Sequence, residues 1–349
     1  MPRVRELELF RLTLPYGRRP ESILVRITDY GGMVGWGEAV RPSTSLPGER
    51  CDEQGDGHEK LWTSLEESLP AALVGVDWEH PSELGRIPGG SAADMACWDL
   101  WARMKGVPLS HALGGSRTSL MATVRLGAER SLESMVARVN RHVCAGYVHV
   151  TMDVHPGWDV EPLRAVRAAY PGLAIAVDGH GAYTEISQLE ALDAYGLVAI
   201  ERPFTDLATS AELQDRISAA VVVEARSVTE LDQAIAAHAG RALLLRPSRF
   251  GSLSDVRLAH DTAVDAGWDI TCAGGLGVGL ARAATVAVAS LPGCTLPSDV
   301  AEPPRSAQIV MPPVGASGGV VAVPLTQPGL GHTIDEAKVR RLAKDTFRV

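Results

Sequence analysis

The 349-residue sequence predicts an α/β protein: a (β/α)7β barrel of the TIM type, preceded by a separate α+β domain. Three observations carry that reading. From about residue 119 short apolar runs alternate with segments of helical period, the pattern of parallel strands joined by crossover helices. Three of those runs, LAIAVD, LVAIE and AVVVE, end in Asp178, Glu201 and Glu224, in two equal steps of 23 residues. A constant repeat length is what a closed ring of similar units requires. Before residue 40 the period is two instead, in VRELELFRLTL and ESILVRITDYGGMVGWGEAV, and the turn formers Asp29 to Gly32 mark a hairpin.

Taken in order, residues 4–40 form an antiparallel sheet. Residues 41–58, RPSTSLPGERCDEQGDGH, have no period and many turn formers, so they read as a surface loop, either an active-site lid or a plain connection. Residues 59–113 are helical. Within them SAADMACWDLWARMKG starts at a Ser91 cap, with Asp94 three residues on, and stops at Gly106 and Pro108. The barrel strands are LMATVRL, YVHVTMDV, LAIAVD, LVAIE, AVVVEA, RALLLRP, WDITCAG and GCTLP, with seven helices between them. After Ser298 the chain is rich in Pro and Gly, and it ends in a polar helix, EAKVRRLAKDTF. The α+β domain is thus expected at 1–117, rejoined by 315–349, around a barrel at 118–314.

Composition limits the partners. A net charge of −9 argues against nucleic acid or an anionic membrane surface. There is no apolar run of 18 residues and no signal-peptide core at the start, so no membrane segment is expected. Five scattered cysteines without a Cys-x-x-Cys pair fit a reducing cytoplasm and a role as small core residues.

The C-terminal strand ends of a barrel share one rim, so Asp178, Glu201 and Glu224 converge there. Three hard oxygen ligands around one point suit Mg²⁺. A single strand-final acid is often only a turn or cap residue; three in phase favour a shared site. Residues i and i+2 of a strand point the same way. His180 therefore faces with Asp178, and Thr151 with Asp153, and adjacent strands bring Asp153 to His180. A histidine oriented by a carboxylate is a competent general base; the alternative is that His180 only hydrogen-bonds in the rim.

The chain resembles the muconate-lactonizing subgroup of the enolase superfamily, in particular o-succinylbenzoate synthase and N-acylamino acid racemase. The likeness runs through GWGEAV (35–40), ADMACWDLWARMKGVPLSHALGG (93–115), VDGHGAYT (177–184), IERPF (200–204), RPSRFGS (246–252) and ITCAGGLGVGLARAATVAVASLPGCTLPSD (270–299). It implies a barrel under a capping domain, a homo-oligomer, a small carboxylate substrate and Mg²⁺ held by Asp178, Glu201 and Glu224. In the family the third ligand is usually Asp, and the acid that follows it is Ala225 here. The family's catalytic lysines fall on Thr151, Asp153 and Arg246, its strand-seven Glu on Gly277, and a strand-one position that is small in relatives on Arg125.

No lysine is left for the family's proton transfers, so ordinary racemase or o-succinylbenzoate synthase activity is not expected. Arginine is a poor base and a good carboxylate clamp. Arg246 and Arg125, with Arg226, therefore read as residues for the substrate carboxylate, or alternatively as internal partners of Asp153 and Glu224 that neutralise the acids directly, with no metal bound. The catalytic candidates are Asp153, His180, Arg246 and Thr151. The functions in view are a metal-dependent lyase, racemase or isomerase with non-standard acid/base residues, or an inactive homologue that binds a small acid or a protein partner.

Overall fold

Strands buried along most of their length build the first layer. The computed structural model describes residues 1–14, 21–40, 57–275, 277–300 and 306–349. In it strands β1 (Val4–Thr13), β2 (Glu21–Asp29) and β3 (Val34–Val40) form an antiparallel meander. The turn after β2 is fastened by the Met33 amide, which donates to Asp29 Oδ1 at 2.7 Å. Helix Gly90–Lys105 lies against β3. Gly35 and Gly37 make that approach possible, since a Cβ there would come within 2.2 Å of Ala96 O and 1.9 Å of Ala92 O. Leu7, Leu9, Ile23 and Val25 from the sheet pack with Leu65, Leu69, Ala92 and Ala96 from the helices.

The predicted cap of this helix is not used. Gly89 is the N-cap with no side-chain bond, and the buried Asp94 turns away to accept the Leu253 amide at 2.7 Å. The unpaired amides at the start of helix Leu253–Asp265 give that carboxyl group its partner.

The barrel begins after β4 (Ser119–Met121). Seven parallel strands follow in sequential order: β5 (Val124–Leu126), β6 (His149–Asp153), β7 (Ala174–Asp178), β8 (Ala199–Glu201), β9 (Ala220–Glu224), β10 (Ala242–Leu245) and β11 (Asp269–Cys272). The run LMATVRL, expected as one strand, is split between β4 and β5. Residues 296–299 stand in the eighth place without forming a regular strand. Their backbone bonds to β11 through Asp299 N to Cys272 O (2.8 Å) and to the first strand through Thr123 N to Ser298 O (3.0 Å). These bonds close the ring. Outward-facing Val150, Ile175, Val177, Ile200 and Val221 pack under the helices, while Ala176, Ala199, Val222, Ala242, Leu244 and Ala273 fill the interior.

The short strands β12 (Val310–Met311) and β14 (Thr333–Ile334) pair with each other, and β13 (Val320–Ala322) pairs with β4. The expected C-terminal helix is half strand. It stops at Leu342, and Ala343–Arg348 forms β15, antiparallel to β1 with Glu8 opposite Arg348. The open edge of β1 offers a full ladder of backbone partners, which outweighs the weak helix preference of AKDTFR.

Glu38 ties the N-terminal sheet to the barrel. Buried completely, it accepts the amides of Val278 (2.7 Å) and Ala281 (2.9 Å) at the start of helix Leu280–Ala289. Gly277 leaves room for it, since a Cβ there would lie 2.0 Å from Glu38 Oε1. Most of the possible lid, residues 41–56, lies outside the described residues. No described helix is long and apolar enough to cross a membrane. Of the four described cysteines Cys97, Cys272 and Cys294 are buried, but Cys144 is exposed and is no core residue.

Candidate functional site

Strand register sets the acids side by side. Asp153 on β6 pairs with Asp178 on β7, and Asp178 with Glu201 on β8. On β9 the partner of Glu201 is Val222, so Glu224 stands two residues further along on the same face. Below this charged rim the interior carries a neutral layer. Thr151 Oγ1 bonds Thr123 Oγ1 at 3.1 Å, and Thr123 bonds His149 Nδ1 at 2.7 Å.

Four arginines occupy the space among the acids. Arg125 on β5 gives Nη1 to Asp178 and Nη2 to Glu201 Oε2 at 2.7 Å, and its Nε lies 3.4 Å from Asp299 Oδ2. Asp153 Oδ1 is 3.6 Å from the same guanidinium. Arg202 holds Asp178 through Nη2 (2.6 Å) and Nε (3.2 Å), and Glu224 through Nη1 (3.2 Å). Arg246 Nε and Arg249 Nε lie 3.0 and 3.2 Å from Glu224 Oε1.

His180 lies between the two halves of the cluster. Its Nε2 is 2.9 Å from Asp153 Oδ1 and its Nδ1 is 2.7 Å from Arg202 Nη2. A guanidinium only donates, so Nδ1 accepts, and Nε2 carries the proton that it gives to Asp153. The histidine does not arrive there by strand alternation. The strand ends at Asp178, and His180 has φ +50, as Arg202 has φ +45. Two non-glycine residues in left-handed backbone at one site mark strain that the surrounding contacts must hold.

Charge and burial act against each other. Burial alone would lower the pKa of Arg125, but Glu201, Asp178, Asp299 and Asp153 raise it well above the ordinary value. Burial pushes Asp178 up, yet Arg125 and Arg202 bring it below the usual carboxylate range. Glu201 is raised by burial and by Asp178, in spite of Arg125. Arg246 is lowered, by burial first, then by Arg125 and Arg202, with Glu224 opposing.

The cluster thus brings together Asp153, Asp178, His180, Glu201, Glu224, Arg125 and Arg246. Thr151 lies in the layer beneath and makes no bond to it. Arg226 is not part of it: the residue is exposed, its amide bonded to Glu230 Oε2 at 2.8 Å. It follows β9 by two positions, past the point where strand alternation would aim it inward. Arg202, Arg249 and Asp299 were missed by sequence reasoning. Arg202 directly follows Glu201 in IERPF, where strand alternation would point it outward; only its left-handed backbone returns it to the site.

His149 has a consequence for stability. Burial pushes its pKa down to about 4, from 6.5. The unfolded chain therefore binds the proton more readily, and stability falls as pH drops from about 6.5 to about 4. The full penalty is on the order of 3 kcal/mol. His149→Gln should flatten the urea-unfolding profile over that window; a profile as steep as that of the wild type would show the slope to arise elsewhere.

Comparison with known proteins agrees with the architecture. The family profile described as enolase C-terminal domain-like matches residues 134–338. The chain is 31% identical over 340 residues to an o-succinylbenzoate synthase of Geobacillus stearothermophilus, covering 93% of this chain and 89% of that one. It is 33% identical over 341 residues to an N-succinylamino acid racemase of Thermus thermophilus, covering 92% and 90%. A solved structure titled as a probable mandelate racemase from Alicyclobacillus acidocaldarius superposes with a TM-score of 0.86 at 29% identity, with 99% of each chain covered. The chain belongs to the enolase superfamily.

The resemblance implied Mg²⁺ at Asp178, Glu201 and Glu224, and Asp153, Asp178 and His180 do offer three ligand atoms within 4.8 Å of one another. The surroundings do not fit the ion. Asp178 carries two guanidinium groups, Glu201 and Glu224 each carry at least one, and both nitrogens of His180 are engaged. A dication placed among these acids would lie against the charges that already neutralise them.

Proposed function

We propose that this chain acts on a small carboxylate at the barrel mouth, in the lyase and isomerase class to which the names of its relatives belong. Arg246 is the docking fork, and His180 with Asp153 is the pair that moves a proton. The observation that carries the reading is Arg246. It is largely but not wholly buried, its pKa is lowered by that burial, and it pairs with Glu224 only through Nε. Among the described residues its terminal nitrogens are given no hydrogen-bond partner, and Nε itself meets Glu224 as an ion pair without a hydrogen bond. A largely buried guanidinium with an unused fork is well matched to the two oxygens of a carboxylate.

Proton abstraction uses Nδ1 of His180 once Arg202 moves from it. Nδ1, which then carries the new proton, lies 3.6 Å from Asp178 Oδ1, while Nε2–H stays on Asp153. The resulting imidazolium is held between two carboxylates, which stabilises the charge it gains. With Thr, Asp and Arg at the positions of the family's lysines, two-base racemisation is not part of this proposal.

A second reading, binding without turnover, is favoured by one contact: the bond from Arg202 occupies the lone pair that a base needs. Calorimetry and α-proton exchange in D2O, followed by NMR with an N-succinylamino acid and with succinate, separate the two. The first reading expects exchange that falls about 100-fold or more in His180→Ala and Asp153→Asn with binding retained, and binding that weakens about tenfold or more in Arg246→Ala. Wild-type binding without exchange establishes the second reading. No binding of either acid overturns both.

A further inference from the structure

We infer that Arg125 and Arg202 take the place of a divalent cation in this barrel, and that its acid cluster is closed to Mg²⁺ and Mn²⁺. The inference does not depend on which acid the site binds. Each guanidinium bridges two carboxylates as a shared cation would. Arg125 joins Asp178 to Glu201, and Arg202 joins Asp178 to Glu224, so the two together cover all three of the acids that end β7, β8 and β9. Two single positive charges supply what one dication would supply. Arg125 adds a third anchor at Asp299, and Arg202 a third at His180.

The exchange is built into the backbone as well as the side chains. Arg125 stands on β5 beside Thr151 of β6, in the wall of the barrel, so its stem reaches the axis without leaving the sheet. Arg202 reaches inward only because its backbone takes φ +45, a conformation that must be held by contacts. Its guanidinium is anchored by Asp178, Glu224 and His180. Arginine stays protonated across the accessible pH range, so no change of pH empties these positions. A metal ion would have to displace both forks while they remain charged and tethered nearby.

Mn²⁺ titration followed by electron paramagnetic resonance tests this on the whole chain, with thermal unfolding in Mg²⁺ or EDTA as a second readout. The wild type should show no saturable Mn²⁺ binding through the low millimolar range and the same melting temperature in both solutions. The pair Arg125→Ala and Arg202→Gln should bind Mn²⁺ at least about tenfold more tightly than the wild type. It should also melt higher in Mg²⁺ than in EDTA, because an ion bound only by the native state stabilises it. Adding Asp178→Asn should remove both effects. Saturable wild-type binding that is abolished by Asp178→Asn overturns the inference, and so does a folded double variant that gains no metal. Should the double variant fail to fold, the wild-type titration decides by the same criterion.

Discussion

Arg125→Met lowers stability by about 3–5 kcal/mol at neutral pH, measured by urea unfolding. Met approximates the length of the stem and keeps its apolar packing, so the change isolates the charge. The guanidinium is bonded to Asp178, Glu201 and Asp299, and its removal leaves the first two buried with one cation fewer. Breaking a buried ionic network from one side costs more than the network contributes, because the remaining charges cannot regain water. The loss depends on pH. Asp178 is held below its ordinary 3.8 by Arg125 and Arg202, so its contribution is fully present above that value. In the wild type this contribution is lost only as pH falls through the depressed native value. In the variant the acids take up protons at higher pH, and the gap between the two proteins narrows in acid. A loss under about 1 kcal/mol at pH 7, or one that does not change with pH, would show the cluster to be hydrated rather than buried.

Asp94→Asn raises stability at pH 8 by about 2–4 kcal/mol and does little at pH 4. Burial pushes this carboxyl up to about 7 from 3.8, against the bond from the Leu253 amide and with help from Asp255. A raised native pKa means that the folded chain holds a proton which the unfolded chain releases. Stability is therefore highest below about 4, falls as pH rises toward about 7, and carries the full penalty above that. Asparagine cannot ionise, and its carbonyl can still accept the Leu253 amide, which Asp94 Oδ2 holds at 2.7 Å. Unfolding curves at pH 5 and pH 8 check the difference. Equal offsets at the two pH values would place the ionisation of Asp94 near its ordinary range and remove the explanation.

The barrel was legible because its pattern is local. Strand and helix periods differ by simple counting, and the strand-final acids Asp178, Glu201 and Glu224 stand 23 residues apart in the sequence. The nearness of Asp153 to His180 followed from strand neighbourhood, although a left-handed residue, rather than the assumed alternation, brings the imidazole there. What failed was of the same kind each time. The helix cap assigned around Ser91 and Asp94 was lost because Asp94 found a partner 159 residues away. Half of the last helix became β15 because β1 had an open edge.

The sequence by itself determined which strands end in acid, where the arginines stand along the chain, and that the chain changes period near residue 119. Only the tertiary structure decided what those arginines do. An arginine stem spans several ångströms, so its strand position does not determine which carboxylate it meets. Arg226 and Arg202 are near-equivalents on paper, each one or two residues past a strand-final Glu. One lies in solvent, while the other is turned inward by a positive φ and meets Asp178, Glu224 and His180. That choice depends on packing between strands distant in the chain, and no local period encodes it.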